Sequence, residues 1–282
     1  MDPLTSSRSL GLVRITALAI CLGFGLAFVI ANLRSWQLED SEAYWSAALR
    51  VRSGAPLYVP VTDPDADALL AYRYAPWFAW VWVPLTYLPK SIVQAGWSVV
   101  LVASAGIAIL PLLRVRSVAG ICLAALLGGL LIKTASTGNV HAVLVAVLVL
   151  AFQRKSGPIW IGVAASLKFV PLLYALVYLG RREWRRAGVA LFVAAVLLAP
   201  ALLEDLRGYP ADPGASLSLL SLAGPIPWAA LALAAAGLAL ALARSPYAWA
   251  AASVAVLAAV PRLELYDLSY LLVGLGKGYR DA

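Results

Sequence analysis

Charged side chains are scarce in this sequence. They make up 13% of its 282 residues, whereas hydrophobic residues make up 62% and the mean hydropathy is +0.86. Soluble domains carry about 25% charged residues, so this scarcity excludes a soluble globular protein and predicts an integral membrane protein. Basic residues exceed acidic ones by 22 to 14. Their position in short loops explains the excess, and no nucleic-acid partner is expected.

Histidine and cysteine are also rare. A single histidine, His141, excludes a metal site built from several histidines. Cys21 and Cys122 lie inside apolar runs and are predicted to be small buried hydrophobes, not a disulfide or a metal-binding pair. The sequence has no P-loop and no dinucleotide-binding fingerprint. We therefore expect neither a metal nor a nucleotide cofactor.

What the sequence does contain is a series of long apolar runs. Residues 11–31 are long enough to cross a bilayer. A signal peptide is the alternative, but its apolar region is usually shorter and ends at a small-residue cleavage site, so an uncleaved first span is predicted. The remaining runs predict seven further spans, near 91–113, 117–133, 138–152, 187–203, 224–243, 246–260 and 264–277. The fold class is all-α, a single polytopic membrane domain over 1–282 with about eight full spans.

Two apolar runs do not fit a simple crossing. Residues 74–89 are short, aromatic and interrupted by three prolines, so they predict a half-inserted segment at the interface. Residues 158–180 have basic residues before and after them but are too short to cross twice. They predict a re-entrant or broken helix hairpin with Lys168 near its tip.

The distribution of basic residues sets the predicted orientation. If 74–89 does not cross, the short loops at Arg114, Arg154 and Arg181 all lie on one side, together with both termini. If it crosses, Arg114 and Arg154 move to the opposite side. The positive-inside rule favours the first arrangement. It predicts a multi-pass protein of the plasma membrane with cytoplasmic N- and C-termini.

The loop over 32–73 then lies on the outer face, and a helix over 40–53 is predicted within it. Polar residues that are costly in lipid gather at the same side of the membrane. Alternating acids at 63, 65 and 67 lack the glycine and the closing glutamate of a calcium loop. A polar cavity roofed by the loop is therefore predicted. The polar residues at or near this side of the membrane are Asp40, Glu42, Arg73, Tyr74, Asn139, His141, Lys168, Arg262, Glu264 and Asp267.

Several of these residues also have a structural interpretation. Asp40 can serve as the N-cap of the helix that follows it. His141 can be a structural hydrogen-bonding residue, and Lys168 can snorkel to the interface, although it lies about ten residues from each basic flank. Arg73 can contact lipid headgroups, and Asp267 can form an ion pair that fixes helix packing. An ionisable group inside a membrane favours a functional role instead.

Five segments, taken in order, resemble a known family of membrane enzymes. The first, 40–58, resembles the first luminal loop of glycosyltransferase family 87, and 72–78 resembles its Tyr-x-Pro-Pro-Leu segment. The segment 138–141 is similar to its Gly-Gln-x-Asn span, 168–171 to its Lys-x-x-Pro hairpin and 266–268 to its Tyr-Asp-Leu motif. Three positions differ from the family pattern. Ala75 stands where the family has proline, Asn139 where it has glutamine, and His141 where it has asparagine.

The resemblance implies a GT-C-like fold and a metal-independent mannosyltransferase with no cofactor. The substrates of such an enzyme would be a polyprenyl-phosphate sugar and a lipid or glycan acceptor. Membrane lipids would surround the protein, and no other partner is implied. The resemblance also implies Asp40 as the general base, and substrate-binding roles for Tyr44, Arg73, Tyr74, Asn139, His141, Lys168, Tyr266 and Asp267. Two alternatives remain: a transporter or lipid flippase with Lys168 in the translocation path, and a catalytically silent membrane scaffold.

Overall fold

The computed structural model of the protein describes residues 3–59, 71–114, 117–152, 154–209 and 217–275. Within these ranges the regular structure is helical throughout. Short 3-10 helices cover Val83–Tyr87, Val170–Tyr174, Ala199–Leu203, Leu206–Gly208 and Leu265–Tyr270. The α-helices are α1 (Pro3–Arg34), α2 (Glu39–Ser53), α3 (Pro76–Trp82), α4 (Lys90–Arg114), α5 (Val118–Ser136), α6 (His141–Ala151), α7 (Gly157–Leu167), α8 (Ala175–Gly180), α9 (Trp184–Leu198), α10 (Leu219–Ala223), α11 (Pro225–Ala241), α12 (Ala248–Ala259) and α13 (Leu271–Leu275).

Four helical segments in the described part of the chain are long and apolar enough to cross a membrane. They are Leu12–Arg34, Lys90–Leu113, Val118–Ser136 and Trp184–Leu203. Together they confirm an all-helical membrane protein.

The predicted total of about eight full spans is not reproduced. The runs near 138–152 and 246–260 contain helices of only 11 and 12 residues, and the helix within 224–243 has 17. At 1.5 Å per residue, an 11-residue helix reaches roughly 16 Å, about half of the hydrocarbon core. The run near 264–277 holds the 3-10 helix Leu265–Tyr270 and α13, and its last two residues lie outside the described ranges.

The two irregular runs take the short forms that their prolines favour. In the run 74–89, α3 starts at Pro76 and continues into the 3-10 helix Val83–Tyr87, a stretch too short to cross. In the run 158–180, α7 ends at an extended Lys168 (φ −135°, ψ 114°) before the next 3-10 helix begins. The helix is therefore broken at Lys168, as predicted for the hairpin.

The helix predicted over 40–53 begins one residue earlier, at Glu39, and this changes the interpretation of Asp40. Leu38 is the N-cap of α2, in a left-handed conformation and with no side-chain cap. Asp40 therefore lies in the first helical turn and is not the N-cap. The rest of the predicted loop includes residues 60–70, which lie outside the described ranges, as does the acidic run at 63, 65 and 67.

Helix α2 is anchored at its centre by Tyr44, which is fully buried. The Tyr44 ring makes edge contacts with Phe78 and Trp82 of α3, at centroid distances of 5.0 and 5.3 Å. The Trp97 ring of α4 also makes an edge contact with the Tyr44 ring, at a centroid distance of 6.4 Å. Aromatic pairs in such arrangements contribute beyond their buried area. The cluster therefore holds α2 against the spans, and Glu42 adds an ion pair to Lys90.

Helices α7 and α9 approach each other closely at Gly162. A Cβ atom added there would lie 2.7 Å from the Ala190 carbonyl oxygen and 2.7 Å from the Val193 Cβ. Gly188, on α9, has open space where its Cβ would be.

We predict that Gly162→Ala lowers the melting temperature of the detergent-solubilised protein, because overpacking a tight contact costs about 1–3 kcal/mol. Gly188→Ala is the matched control and should melt at or above the wild-type temperature, since alanine favours helix by about 1 kcal/mol. Thermal unfolding of both variants in one detergent measures this. A Gly162→Ala protein as stable as wild type would contradict the close packing of α7 on α9.

Candidate functional site

The site begins where the C-terminus of α5 meets the N-terminus of α2. The Ser136 carbonyl accepts hydrogen bonds from the backbone N–H groups of Gln37 (3.1 Å) and Leu38 (2.9 Å). The Thr137 carbonyl accepts one from the Asp40 N–H at 2.7 Å. Helix ends leave such groups without partners inside the helix. Here the two ends satisfy each other, and this fixes the position of Asp40.

The turn after α5 then brings Asn139 against Asp40. Gly138 adopts φ +80°, and a Cβ there would lie 3.0 Å from the Ser41 nitrogen and 3.2 Å from the Leu38 Cα. The Trp97 indole N–H donates to the Gly138 carbonyl at 2.8 Å. Asn139 Nδ2 donates to Asp40 Oδ2 at 3.0 Å. A carboxylate from α2 and an amide from the turn are thus joined directly.

The same turn starts α6 and orients His141. Nδ1 of the buried His141 ring lies 3.2 Å from Lys168 Nζ, and Nε2 lies 2.9 Å from Ser269 Oγ. A lysine ammonium can only donate, so Nδ1 must accept. The proton of a neutral imidazole is then on Nε2, which donates to Ser269. In this arrangement His141 is neutral and accepts a hydrogen bond from the Lys168 ammonium.

Asp267 lies close to both Lys168 and His141. Its Oδ1 is 3.7 Å from Lys168 Nζ and 3.8 Å from His141 Nδ1. Its Oδ2 accepts from the Glu264 backbone N–H at 2.9 Å, which fixes the start of the 3-10 helix Leu265–Tyr270. The Lys168 ammonium also lies 4.8 Å from the centre of the Tyr266 ring. Lys168 is therefore held by a carboxylate, an imidazole and an aromatic face.

Asp40 is only partly exposed, and its environment changes its acidity. Burial raises the pKa of the Asp40 carboxyl above its usual range. The Asn139 hydrogen bond, the Lys168 charge and a hydrogen bond from the Thr137 side chain oppose this by favouring the ionised form, whereas Glu39 adds to the increase. Asp40 is thus a carboxyl group whose proton affinity is increased by burial and decreased by the Asn139 bond and the Lys168 charge.

A cavity of about 350 Å³ lies beside this cluster. Arg73 and Tyr74 line it, and the side-chain Nε of Arg73 is buried with no hydrogen-bond partner. The Tyr44 hydroxyl donates to the Tyr74 hydroxyl at 3.2 Å, so Tyr74 connects the cavity with the packing around Asp40. The other lining residues are Tyr58, Ala75, Ala165, Ser166, Leu167, Phe169, Leu198, Ala201, Leu206 and Tyr209. The walls are mainly apolar, and Arg73 contributes the cationic side chain among them.

The chain also matches a known protein family. Residues 72–263 match the model of glycosyltransferase family 87. This match covers more than half of the chain. The chain belongs to glycosyltransferase family 87. It matches none of the curated proteins and none of the solved structures with which it was compared. Family membership favours an enzyme over the transporter and scaffold hypotheses.

In this family 87 protein, the predicted site residues come from both inside and outside the matched region. Arg73, Tyr74, Asn139, His141 and Lys168 lie within it. Of the nine predicted residues, only Arg73 and Tyr74 line the cavity. Six others, Asp40, Asn139, His141, Lys168, Tyr266 and Asp267, are linked in the polar cluster. Tyr44 is fully buried and packs against Tyr74. The catalytic and substrate-binding roles of all nine residues stay predictions. Among the described residues, no three histidine, cysteine or acidic side chains are arranged to hold a metal ion.

Sequence reasoning missed Ser269 and Tyr270. Ser269 bonds His141, and the Tyr270 ring makes an edge contact with His141 at 4.7 Å. Tyr266 and Ser269 are three residues apart on a 3-10 helix, whose period of three puts them on one face. A 3-10 helix cannot be read from hydropathy, so this spacing gave no usable signal.

We predict that Gly138→Ala reduces glycosyl transfer by roughly tenfold or more, because its Cβ would displace the start of α2 and with it Asp40. The matched control is Gly54→Ala, which has the same left-handed backbone (φ +72°) but open space at its Cβ. Both variants should lose about 1–2 kcal/mol of stability from the strained backbone. Only Gly138→Ala should lose activity. Equal transfer rates in the two variants would contradict the positioning of Asp40 by this turn.

Proposed function

We propose that this family 87 protein transfers a hexose, mannose by analogy with the family, from a polyprenyl-phosphate donor to a hydroxyl group of a lipid or glycan acceptor. The reaction takes place on the outer face of the plasma membrane, with both termini in the cytoplasm. The observation that carries the proposal is a polar network that links a carboxylate to a fixed cation. Asp40, in the first turn of α2, bonds Asn139, and Asn139 bonds the His141 backbone. The His141 ring bonds Lys168, which lies at a helix break inside an apolar segment.

The donor phosphate is assigned to Lys168 and Arg73. Asp267 lies 3.7 Å from Lys168, which leaves hydrogen-bonding capacity on the ammonium for a further anion. Arg73 has a buried Nε with no partner at the edge of the cavity. A phosphate would satisfy both groups with charge-assisted hydrogen bonds. Phe169, Leu198 and Leu206 provide apolar walls for the first units of the isoprenoid chain.

Asp40 is assigned as the general base. It removes the proton from the acceptor hydroxyl, whose oxygen attacks C1 of the sugar while the bond from C1 to the phosphate oxygen breaks. Polyprenyl phosphate leaves with the bonding electron pair, and Lys168 and Arg73 stabilise its charge. Direct displacement inverts the configuration at C1. A base must be ionised, so activity should fall as the pH falls through the raised pKa of Asp40.

The first prediction from this proposal concerns donor binding. Lys168→Met should weaken the binding of polyprenyl phosphate about ten- to a hundredfold, because a hydrogen bond to a charged group contributes about 1.5–3 kcal/mol. Lys168→Arg keeps a cation and should retain part of the affinity. Lys133→Met is the matched control, since Lys133 is exposed near the end of α5. Titration of the purified, folded variants with polyprenyl phosphate measures this, and unchanged affinity in Lys168→Met would return Lys168 to a structural role.

The second prediction concerns the base. Asp40→Asn keeps the shape of the side chain and can still present an oxygen to Asn139, but it cannot accept the proton. We expect transfer to fall by at least about a hundredfold while donor binding is retained. Glu39→Gln is the matched control on the neighbouring acid and should transfer sugar at close to the wild-type rate. An Asp40→Asn enzyme with near-normal turnover would exclude Asp40 as the base.

A further inference from the structure

Both the oxygen and the nitrogen of the Asn139 side-chain amide form hydrogen bonds within the protein. Asn139 is 6% exposed. Its Oδ1 accepts from the His141 backbone N–H at 2.9 Å, and its Nδ2 donates to Asp40 Oδ2 at 3.0 Å. Side chains that bind a substrate need a free donor or acceptor that faces the ligand. In Asn139 the carbonyl oxygen and one N–H of the amino group already have protein partners.

These partners allow only one orientation of the amide. A backbone N–H can only donate, so the oxygen of Asn139 must face His141 and the nitrogen must face Asp40. In the reverse orientation an N–H would face an N–H, and an oxygen would face the Asp40 carboxylate. The Asn139 backbone is also fixed, because its N–H donates to the Thr134 carbonyl at 2.8 Å. The donor presented to Asp40 is therefore rigid.

Asn139 also provides the first capping contact of α6. The N–H groups of the first helical turn have no partners within the helix. The Asn139 oxygen satisfies the N–H of His141, and the Tyr44 hydroxyl accepts from the N–H of Val140 at 3.2 Å. One side chain thus connects the start of α6, which carries His141, to the carboxyl group of α2.

We propose that Asn139 is a positioning residue that holds the Asp40 carboxylate in one orientation and favours its ionised form. This inference rests on the proposed role of Asp40 as the general base. It replaces the substrate contact predicted for Asn139 from the sequence with an action through Asp40.

Several other groups face Asp40 and would act on the same proton. Glu39 is its neighbour on α2, and Thr137 donates to it from the end of α5. Lys168 contributes a positive charge from the break after α7. Tyr44, Tyr74 and Tyr266 also interact electrostatically with Asp40. Among these contacts, the Asn139 bond is the largest influence opposing the effect of burial on the Asp40 pKa.

The test uses Asn139→Asp in the full-length protein. Aspartate keeps an oxygen for the His141 N–H but removes the donor to Asp40 and adds a second carboxyl beside it. We expect kcat to fall at least about tenfold, with the KM for polyprenyl-phosphate mannose within about twofold of wild type. The acid limb of the pH profile of kcat should move up by about one unit or more. Transfer of labelled mannose to acceptors in the membrane fraction provides all three readouts.

Two further variants make the test decisive. Asn139→Ser also offers an oxygen near the His141 N–H but is too short to reach Asp40, so it should lose kcat in the same way. Asn32→Asp makes the same substitution at the other asparagine of the chain, whose amide donates to the Phe28 carbonyl within α1. It should keep the wild-type kcat and pH profile.

A raised donor KM with unchanged kcat and an unchanged acid limb would overturn the proposal and make Asn139 a substrate-binding residue. Misfolding of both Asn139 variants would also overturn it, because the role would then be structural. Neither result would affect the base proposal, which fails separately if Asp40→Asn retains turnover. If Asn139 acts through Asp40, adding Asn139→Asp to Asp40→Asn should cause no further loss.

Discussion

The mutual capping of α5 and α2 is the interaction on which the rest of the site depends. The carbonyls of Ser136 and Thr137 have no partners within α5, and the N–H groups of Gln37, Leu38 and Asp40 have none within α2. Each end satisfies the other, in a region where an unpaired backbone group would be costly. The left-handed conformation of Leu38 (φ 55°) is strained, and it persists because these hydrogen bonds require it.

A continuous polar network extends from this junction across the protein. Asn139 follows the capped helix end by two residues and connects Asp40 to the first turn of α6. His141 then bonds Lys168 and Ser269, and Asp267 completes the cluster from the late 3-10 helix. A buried network of this kind is stabilising when its members are satisfied and destabilising when one partner is removed. The fold therefore holds an acid and a cation at one site although they come from distant parts of the chain.

Local signals in the sequence predicted the membrane class, the family resemblance and the break at Lys168. Composition determines the membrane class, and short motifs carry the family resemblance. Pro171 after an isolated lysine indicates the break in the helix. Helix lengths were less predictable, because hydropathy alone does not distinguish a span from an 11-residue helix such as α6 that is buried among other helices. The Asp40–Asn139 bond joins residues 99 apart, and only the tertiary fold brings such pairs together. The same applies to Ser269 and to the enclosure of Tyr44.

The central claim is that this cluster transfers a sugar from a lipid phosphate, with Asp40 as the proposed base and Lys168 as the proposed phosphate-binding cation. The most direct test offers purified protein a polyprenyl-phosphate mannose donor and, separately, a nucleotide-linked mannose, together with a panel of lipid acceptors. The account predicts mannosylated lipid and released polyprenyl phosphate with the first donor and no product with the second. Transfer from the nucleotide donor alone would contradict it.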